Sequence, residues 1–292
     1  MTVNETAENR RAQLAAVFRD KPERVIDFPG WMLPGEQVAY YRGMDDLAIV
    51  EIAGRDSVAA AVRAVSENGY GNLLPVYAYT GSEYGFWGSV EQAASRLAAR
   101  LPSVRVHPLL VVGSPGFWHA VNGRFISDLI HVFGHYTPCT GCHLYLHAIR
   151  VPLARLLGNV PIIAGERESH SGTIKINQVG EALDFYQRFI RRFDIRLDLP
   201  LAEIEDDRAI EDLLEIPWAQ GKEQLGCCLS GNYKGAGGNI GMDSASVMRF
   251  FDEFAGPAAD AIIHGYLEGR VPDHPGIAKQ AITRCISETK PS

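Results

Sequence analysis

The chain has 292 residues, of which 46% are apolar and 22% charged, a balance typical of globular proteins that bury a core without disulfides. Its net charge of −7 argues against a wide nucleic-acid surface, although a local basic groove is compatible with it. No apolar run approaches the roughly 18 residues of a membrane span, and the polar segment 1–24 lacks the features of a signal peptide, so we expect a cytoplasmic protein without membrane contact.

The predicted elements alternate between strands and helices from residue 46 onward. Residues 1–45 begin polar, pass into an aromatic stretch with Pro and Gly, and are predicted to form an N-terminal extension. Short apolar runs predict five strands, over 47–52, 73–79, 104–112, 159–164 and 195–201. Helical periodicity predicts helices over 57–68, 88–101, 143–157 (with a kink at Pro152) and 182–193.

This alternation predicts an α/β fold with an open, mostly parallel sheet that helices cover on both faces. We place this domain at residues 46–205. Residues 206–292 change to helices and Gly-rich loops and are predicted to form a C-terminal segment.

The turn after the first predicted strand has the composition of a phosphate-binding loop. It reads Ala53-Gly54-Arg55-Asp56-Ser57 and leads directly into a helix. In an open parallel sheet, ligands bind beyond the carboxyl ends of the strands, and a helix N-terminus offers unpaired N–H groups to an anion. Gly54 permits close approach of phosphate, while Arg55 and Ser57 can donate hydrogen bonds to it. The alternative is an ordinary strand-to-helix turn capped by Asp56 or Ser57.

With this loop the chain resembles the PP-loop ATP pyrophosphatases, which have the adenine-nucleotide α-hydrolase-like (HUP) fold. The family's loop follows a Ser-Gly-Gly-x-Asp-Ser pattern, which this chain matches at Gly54, Asp56 and Ser57. Ala53 and Arg55 stand where the pattern has Ser and Gly. The resemblance covers about residues 46–232 and implies that all five loop residues contribute to binding ATP.

Further motifs follow in the order found in the PP-loop enzymes that thiolate tRNA. They are Thr80-Gly81-Ser82-Glu83 after the second strand, Cys139-x-x-Cys142 before a helix containing Arg150, Gly165-Glu166-Arg167 after the next strand, and Cys227-Cys228 after an acidic helix. The resemblance implies that Thr80 and Gly165 lie beside the nucleotide.

The five cysteines, without an export signal, favour metal or redox chemistry over disulfides. Cys139 and Cys142 have the i, i+3 spacing of two ligands to one metal or cluster. A third ligand has to come from Cys227 or Cys228, and by analogy with the thiolation enzymes we predict Cys228. Three cysteines around a [4Fe–4S] cluster leave one iron open to hold a sulfide or a substrate sulfur.

Three other interpretations of the cysteines stay open. The first is a zinc site that His143 or His135 completes. The second is a redox pair without metal, and the third is a set of buried, inert cysteines. Cys285, near the polar C-terminus, is expected to take no part.

The segment 165–178 is unusually polar for residues that follow a buried strand. Arg167 and Lys175 can neutralise charge on a transferring adenylate or on the leaving pyrophosphate. Glu166 is a candidate ligand of Mg²⁺, and His170 is a candidate acid or base. The alternative is a solvated loop whose charges are incidental.

Together these features predict an ATP-dependent enzyme that adenylates a carbonyl or carboxyl oxygen, releases pyrophosphate and lets a nucleophile such as sulfur displace AMP. The cofactors would be ATP, Mg²⁺ and the [4Fe–4S] cluster, with zinc as the alternative metal. The resemblance implies a tRNA or a small molecule as substrate and a sulfur donor as partner. The rival hypothesis is a non-catalytic module of the same fold that binds a nucleotide, an Fe–S cluster or zinc. The oligomeric state is open, and a homodimer is one alternative.

Overall fold

A parallel sheet forms the centre of the chain. The computed structural model describes residues 26–27, 33–170, 173–218, 223–234 and 243–288. Its strands are β1 (Ile26–Asp27), β2 (Leu47–Glu51), β3 (Asn72–Tyr79), β4 (Glu83–Tyr84), β5 (Arg105–Val106), β6 (Leu110–Gly113), β7 (Ile162–Ile163), β8 (Ser169–His170), β9 (Thr173–Ile174), β10 (Leu197–Asp198) and β11 (Gly226–Cys227).

Seven of these strands form the main sheet, in the order β1–β6–β3–β2–β7–β10, with β5 also paired to β3. All of its pairings in the described part of the chain are parallel. The remaining strands form two small antiparallel pairs, β4 with β11 and β8 with β9. The predicted α/β fold with a mostly parallel sheet is therefore confirmed.

Helices cover both faces of the sheet. They are α1 (Gly35–Arg42), α2 (Arg55–Asn68), α3 (Gly88–Arg100), α4 (Pro115–Val121), α5 (Ile126–Phe133), α6 (Pro138–Ala148), α7 (Val151–Leu156), α8 (Gly180–Arg191), α9 (Asp207–Leu214), α10 (Ser244–Arg249), α11 (Gly256–Leu267) and α12 (His274–Glu288). No helix in the described ranges is long and apolar enough to cross a membrane.

The central strand β2 shows why two layers of helices are needed. Every one of its side chains is buried, and successive side chains point to opposite faces of the sheet. Ala48 and Val50 belong to a core that contains the buried faces of α2, α3 and α9. Leu47 and Ile49 belong to a second core that contains side chains of α4 to α8 and of α10 to α12.

Two predicted elements are divided in the structure, and proline accounts for both divisions. The strand predicted over 104–112 is split into β5 and β6, because Pro108 between them has no N–H for the ladder. The helix predicted over 143–157 begins earlier, at Pro138, and is followed by the separate helix α7. Pro152 lies in the first turn of α7, where a missing N–H costs nothing.

Residues from both predicted terminal segments belong to this architecture. β1, from within residues 1–45, pairs with β6 at the edge of the sheet. Tyr41 of α1 belongs to the second core, as do Phe251 and Ile262 from the C-terminal helices. The rest of 1–45, including the aromatic stretch at 28–31, lies outside the described residues apart from 33–45.

The strand order places a switch point beside β2. The chain passes from β2 to β3 and β6 on one side and later returns to β7 and β10 on the other. In such sheets ligands bind in the crevice outside the carboxyl ends of the strands at the switch point. Those ends are Glu51, Tyr79 and Ile163.

Candidate functional site

The loop at residues 53–57 joins the carboxyl end of β2 to the first turn of α2. The Ser57 hydroxyl oxygen accepts hydrogen bonds from the N–H groups of Ala53 and Gly54, each at 3.0 Å. Its O–H donates to the Gly54 carbonyl at 2.7 Å. Ser57 thus satisfies two amides in front of the helix and closes the turn, as a capping side chain does.

Two glycines at this loop permit close approaches. A Cβ atom on Gly54 would lie 2.4 Å from Oε1 of Gln224. A Cβ atom on Gly165 would lie 2.7 Å from the carbonyl carbon of Asp56 and from the nitrogen of Ser57. The atoms that face Gly165 belong to the backbone, so that position requires glycine, whereas a side chain at position 54 would have to displace the flexible side chain of Gln224. Gly165 therefore packs against the start of α2, and Gln224 covers Gly54.

Two buried arginines lie next to the loop and share two carboxylates. Arg55 donates to Asp207 at 2.8 Å and to Asp56 at 3.0 Å. Arg167, which is fully buried, donates to the same Asp207 oxygen at 2.7 Å, and its Nε lies 3.4 Å from an Asp56 oxygen. The charges of this cluster balance. The sequence indicated the arginines as phosphate ligands but not Asp207, which appeared only as one of several acidic residues.

The charge state of Asp207 follows from these contacts. Burial alone would raise the pKa of this carboxyl, but the hydrogen bonds from Arg167 and Arg55 lower it below its usual value. Asp207 is therefore an ionised carboxylate at neutral pH, bound to both arginines.

Three cysteines from separate segments line one cavity of about 150 Å³. Cys139 and Cys142 come from the first turns of α6, and Cys227 comes from β11. Their neighbours around the cavity include His143, Lys175, Asn177, Ser230 and Tyr233. Cys228, which we predicted as the third ligand, is exposed and is not among the lining residues.

Polar groups contact each of the three sulfurs. The indole N–H of Trp118 donates to Cys142 Sγ at 3.3 Å, and the Ser82 hydroxyl lies 3.2 Å from Cys227 Sγ. Cys139 donates to the Leu229 carbonyl at 3.5 Å. Cys285 is buried in α12, where it donates to the carbonyl of Ala281 in the same helix and to that of Glu253 in the π-helical segment Phe250–Ala255, and it does not line the cavity.

Burial controls the protonation of these thiols. It raises the pKa of Cys139 to about 11, with a further rise from the nearby Cys227. Burial raises the pKa of Cys142 higher still, although the hydrogen bond from Trp118 opposes the shift. Both groups are therefore neutral thiols at pH 7.

The difference in burial predicts a difference in reactivity. In metal-free protein at pH 8, Cys228 is expected to be alkylated by iodoacetamide at least about tenfold faster than Cys142, because only accessible thiolates react. Mass spectrometry of the labelled peptides measures both rates. Unfolded protein, in which all thiols should react alike, is the control, and equal rates in the folded protein would contradict the placement of Cys142.

The thiols at the cavity do not form a ligand set for one metal ion within the part of the chain that the structure describes. In the described part of the chain, no three His, Cys, Asp or Glu side chains converge as ligands of one metal ion do. A [4Fe–4S] cluster binds its cysteines through different iron atoms, so its ligands line a cavity without meeting at one point. His143 lines the cavity, whereas His135, the other candidate zinc ligand, does not.

Two carboxylates and two imidazoles next to the cysteine cavity form a connected network of side chains. His147 Nδ1 lies 2.8 Å from an oxygen of Glu51, and His143 Nδ1 lies 2.8 Å from an oxygen of Glu166. His147 Nε2 lies 3.6 Å from that same Glu166 oxygen. A guanidinium nitrogen of Arg150 lies 3.4 Å from a Glu51 carboxylate oxygen and belongs to the same network. Sequence reasoning missed Glu51 and His147, although the spacing of His143 and His147 places both on one helix face.

These contacts bear on the predicted role of Glu166. One of its oxygens faces the two histidines and the other accepts a hydrogen bond from the Gln178 amide. Burial alone would raise the pKa of Glu166, but His143, His147 and Gln178 lower it well below its usual value. Glu166 is thus a buried carboxylate that orients histidines, and to bind Mg²⁺ it would have to give up one of these partners.

The other residues predicted in this segment take different positions. Lys175 lines the cysteine cavity, and burial lowers its pKa while Glu166 and Asp56 oppose that shift. The side-chain nitrogen of Asn177, buried in the same wall, has no hydrogen-bond partner within the described residues. His170 lies in β8 and pairs with Thr173.

A second cavity, of about 190 Å³, adjoins the first at the carboxyl edge of the sheet. The two cavities share Cys142, His143 and Cys227 as lining residues. Ala53 of the loop and Thr80 also line the second one. The loop, the thiols and the end of β3 are therefore neighbours in one region of the molecule.

Comparison with known proteins finds a related chain but no described activity. No family model matches the sequence. The chain is 38% identical over 226 residues to uncharacterized protein MJ0009 of Methanocaldococcus jannaschii. The alignment covers 76% of this chain and 81% of the archaeal one, so the two are related over most of their lengths.

Proposed function

We propose that this chain, which belongs to the same family as the Methanocaldococcus jannaschii protein, is an ATP-dependent adenylating enzyme of the PP-loop type that carries a three-cysteine iron–sulfur cluster and transfers sulfur. The observation that carries the proposal is the position of Cys139, Cys142 and Cys227. They line one cavity, which adjoins a second cavity bounded by the phosphate loop. An enzyme that activates an oxygen and replaces it with sulfur needs both parts side by side.

The three cysteines would hold a [4Fe–4S] cluster. When bound, such a cluster supplies an iron with an open position that can carry a sulfide. The chain's own residues position the reactants around it. Lys175 and the Asn177 amide, which has no hydrogen-bond partner among the described residues, line the cysteine cavity and can donate hydrogen bonds to an oxygen of the substrate. His143, held by Glu166, lies where the two cavities meet.

ATP would bind with its phosphates at the start of α2. The N-terminal end of that helix favours an anion there. Arg55 and Arg167 are buried cations beside this loop, and Lys175, which lines the cysteine cavity, interacts electrostatically with both Asp56 and Cys139. These charges would stabilise the pyrophosphate that leaves when an adenylate forms.

One observation favours the rival hypothesis of a non-catalytic module. Asp207 binds both arginines, and Gln224 covers Gly54, so protein groups fill the space next to the loop. Release of pyrophosphate from ATP and Mg²⁺ in the presence of tRNA or candidate small acceptors distinguishes the hypotheses. An enzyme releases pyrophosphate in proportion to product, whereas a binding module releases none.

Removal of the Ser57 hydroxyl is expected to weaken ATP binding at least tenfold, or about 1.4 kcal/mol. The hydroxyl closes the turn that presents the loop to phosphate, so Ser57→Ala loosens that turn. Isothermal titration calorimetry with ATP measures the change. Ser89→Ala is the matched control, because Ser89 is also buried at the start of a helix and donates to a nearby carbonyl at 2.6 Å. Equal ATP affinity in the two variants would contradict a phosphate site at this loop.

A further inference from the structure

We infer that Arg55 and Arg167 form a di- or triphosphate site that the Asp207 carboxylate occupies in the nucleotide-free chain, so that phosphate binding displaces Asp207. The inference rests on the proposed function, since it concerns the same loop. Its new element is that the Asp207 carboxylate competes with the nucleotide for the two arginines. Asp207 belongs to α9, which follows the last strand of the sheet and packs on α2.

The geometry of the cluster is that of an occupied anion site. A single oxygen of Asp207 accepts from Arg55 at 2.8 Å and from Arg167 at 2.7 Å. Two guanidinium groups converging on one oxygen resemble the arrangement by which arginines hold a phosphate. Both arginines are almost completely buried and come from different segments, so the protein holds them together against their mutual repulsion. An anion is needed between them.

Unlike those of Arg55 and Arg167, the side chain of Asp207 is partly exposed and can move away from the cluster. Its side chain is 30% exposed, whereas those of Arg55 and Arg167 are 3% and 0% exposed. The carboxylate can therefore turn into water without being left buried and unpaired. The cap at the start of α9 is supplied by the neighbouring Asp206, which accepts a hydrogen bond from the Arg208 N–H. Ile210 and Leu214 keep α9 in the core.

The contact between Gln224 and Gly54 is a second, independent indication. The side-chain oxygen of Gln224 fills the space in front of Gly54, where a phosphate would approach the backbone. Like Asp207, it lies between the last strand of the main sheet and Cys227 along the chain. Protein groups from one stretch of chain thus occupy both the cationic side and the glycine side of the loop.

The test compares Asp207→Asn with the wild type by titration calorimetry, with inorganic pyrophosphate and ATP as probes of the full chain. Asparagine keeps the shape but removes the competing charge, so pyrophosphate is expected to bind Asp207→Asn at least about tenfold more tightly. Asp212→Asn on the exposed side of the same helix is the control and should bind like the wild type. Equal or weaker binding by a folded Asp207→Asn would overturn the inference.

A second measurement, made on the wild type, tests the inference even if the Asp207→Asn variant folds poorly. In the wild type, pyrophosphate should increase hydrogen exchange at the first turn of α9, because the bound ligand releases Asp207. Unchanged exchange at saturating pyrophosphate would overturn the inference as well. If neither the wild type nor the variant binds ATP or pyrophosphate, both the proposed function and the inference about Asp207 are wrong. If the wild type binds ATP and releases pyrophosphate while Asp207→Asn binds no better, only the inference about Asp207 fails.

Discussion

Replacement of Cys142 by alanine is expected to abolish iron binding by anaerobically purified protein. Cys142 lines both cavities, and its sulfur accepts a hydrogen bond from the indole of Trp118. Two remaining cysteines cannot hold a [4Fe–4S] cluster stably, because thiolates supply its protein ligands. Iron, acid-labile sulfide and zinc analysis, together with the visible absorption spectrum, measures the loss.

The neighbouring pair Cys227 and Cys228 provides a matched control. Cys227→Ala should behave like Cys142→Ala, while Cys228→Ala and Cys285→Ala should keep the wild-type iron content. Loss of iron on Cys228→Ala with retention on Cys227→Ala would restore the ligand that the sequence indicated. Zinc instead of iron in every protein except Cys142→Ala and Cys227→Ala would support the zinc alternative. Wild-type protein without any metal would contradict both the iron–sulfur and the zinc hypotheses.

The local signals of the sequence predicted the sheet and its helices well. The apolar run 47–52 became the fully buried β2, and the periodic segment after it became α2. Gly69, the residue directly after that helix, has a φ of 72°, a conformation that glycine adopts without strain. These features depend on short stretches of chain, and so a single sequence suffices to predict them.

The choice between Cys227 and Cys228 depends on a contact that no local signal encodes. Cys227 lies in β11 opposite Glu83 of β4, and adjacent residues of a strand point in opposite directions. The register of this pair decides which thiol faces the cavity. The residues that contact Cys227 there, Ser82 and Glu83, lie about 145 residues earlier in the chain.

Long-range partners also explain why the polar segments were only partly understood. The sequence predicts that Glu166 and Arg167 take part in the site, but their partners His147 and Asp207 lie in other elements. Periodicity predicts which residues of a helix are buried, but not which buried charge meets which. The sequence therefore indicated the region of the site better than the connections within it.

Replacement of Glu51 by glutamine is expected to lower the free energy of unfolding by about 3–5 kcal/mol, since it breaks a buried ionic network. Glu51 is buried at the end of β2, beside the fully buried His147 at 2.8 Å and Arg150 at 3.4 Å. The neutral amide leaves the Arg150 charge without its carboxylate. Thermal denaturation should show a fall of about 10 °C in Tm. Glu67→Gln, which removes an exposed ion pair with Arg63, is the control and should cost about 1 kcal/mol or less.

The pH dependence of this difference separates the charge of Glu51 from its shape. Burial alone would raise the pKa of Glu51, but Arg150 and His147 together lower it below its usual value. A carboxyl with a lowered folded pKa contributes its stability above the unfolded pKa, about 4.3, and loses it as the pH falls through the folded pKa. Urea denaturation at pH 7 and at about pH 3 should therefore show a full difference between wild type and Glu51→Gln at pH 7 and a smaller one in acid. A difference that stays constant would mean that packing of the side chain, and not its negative charge, stabilises the centre of the site.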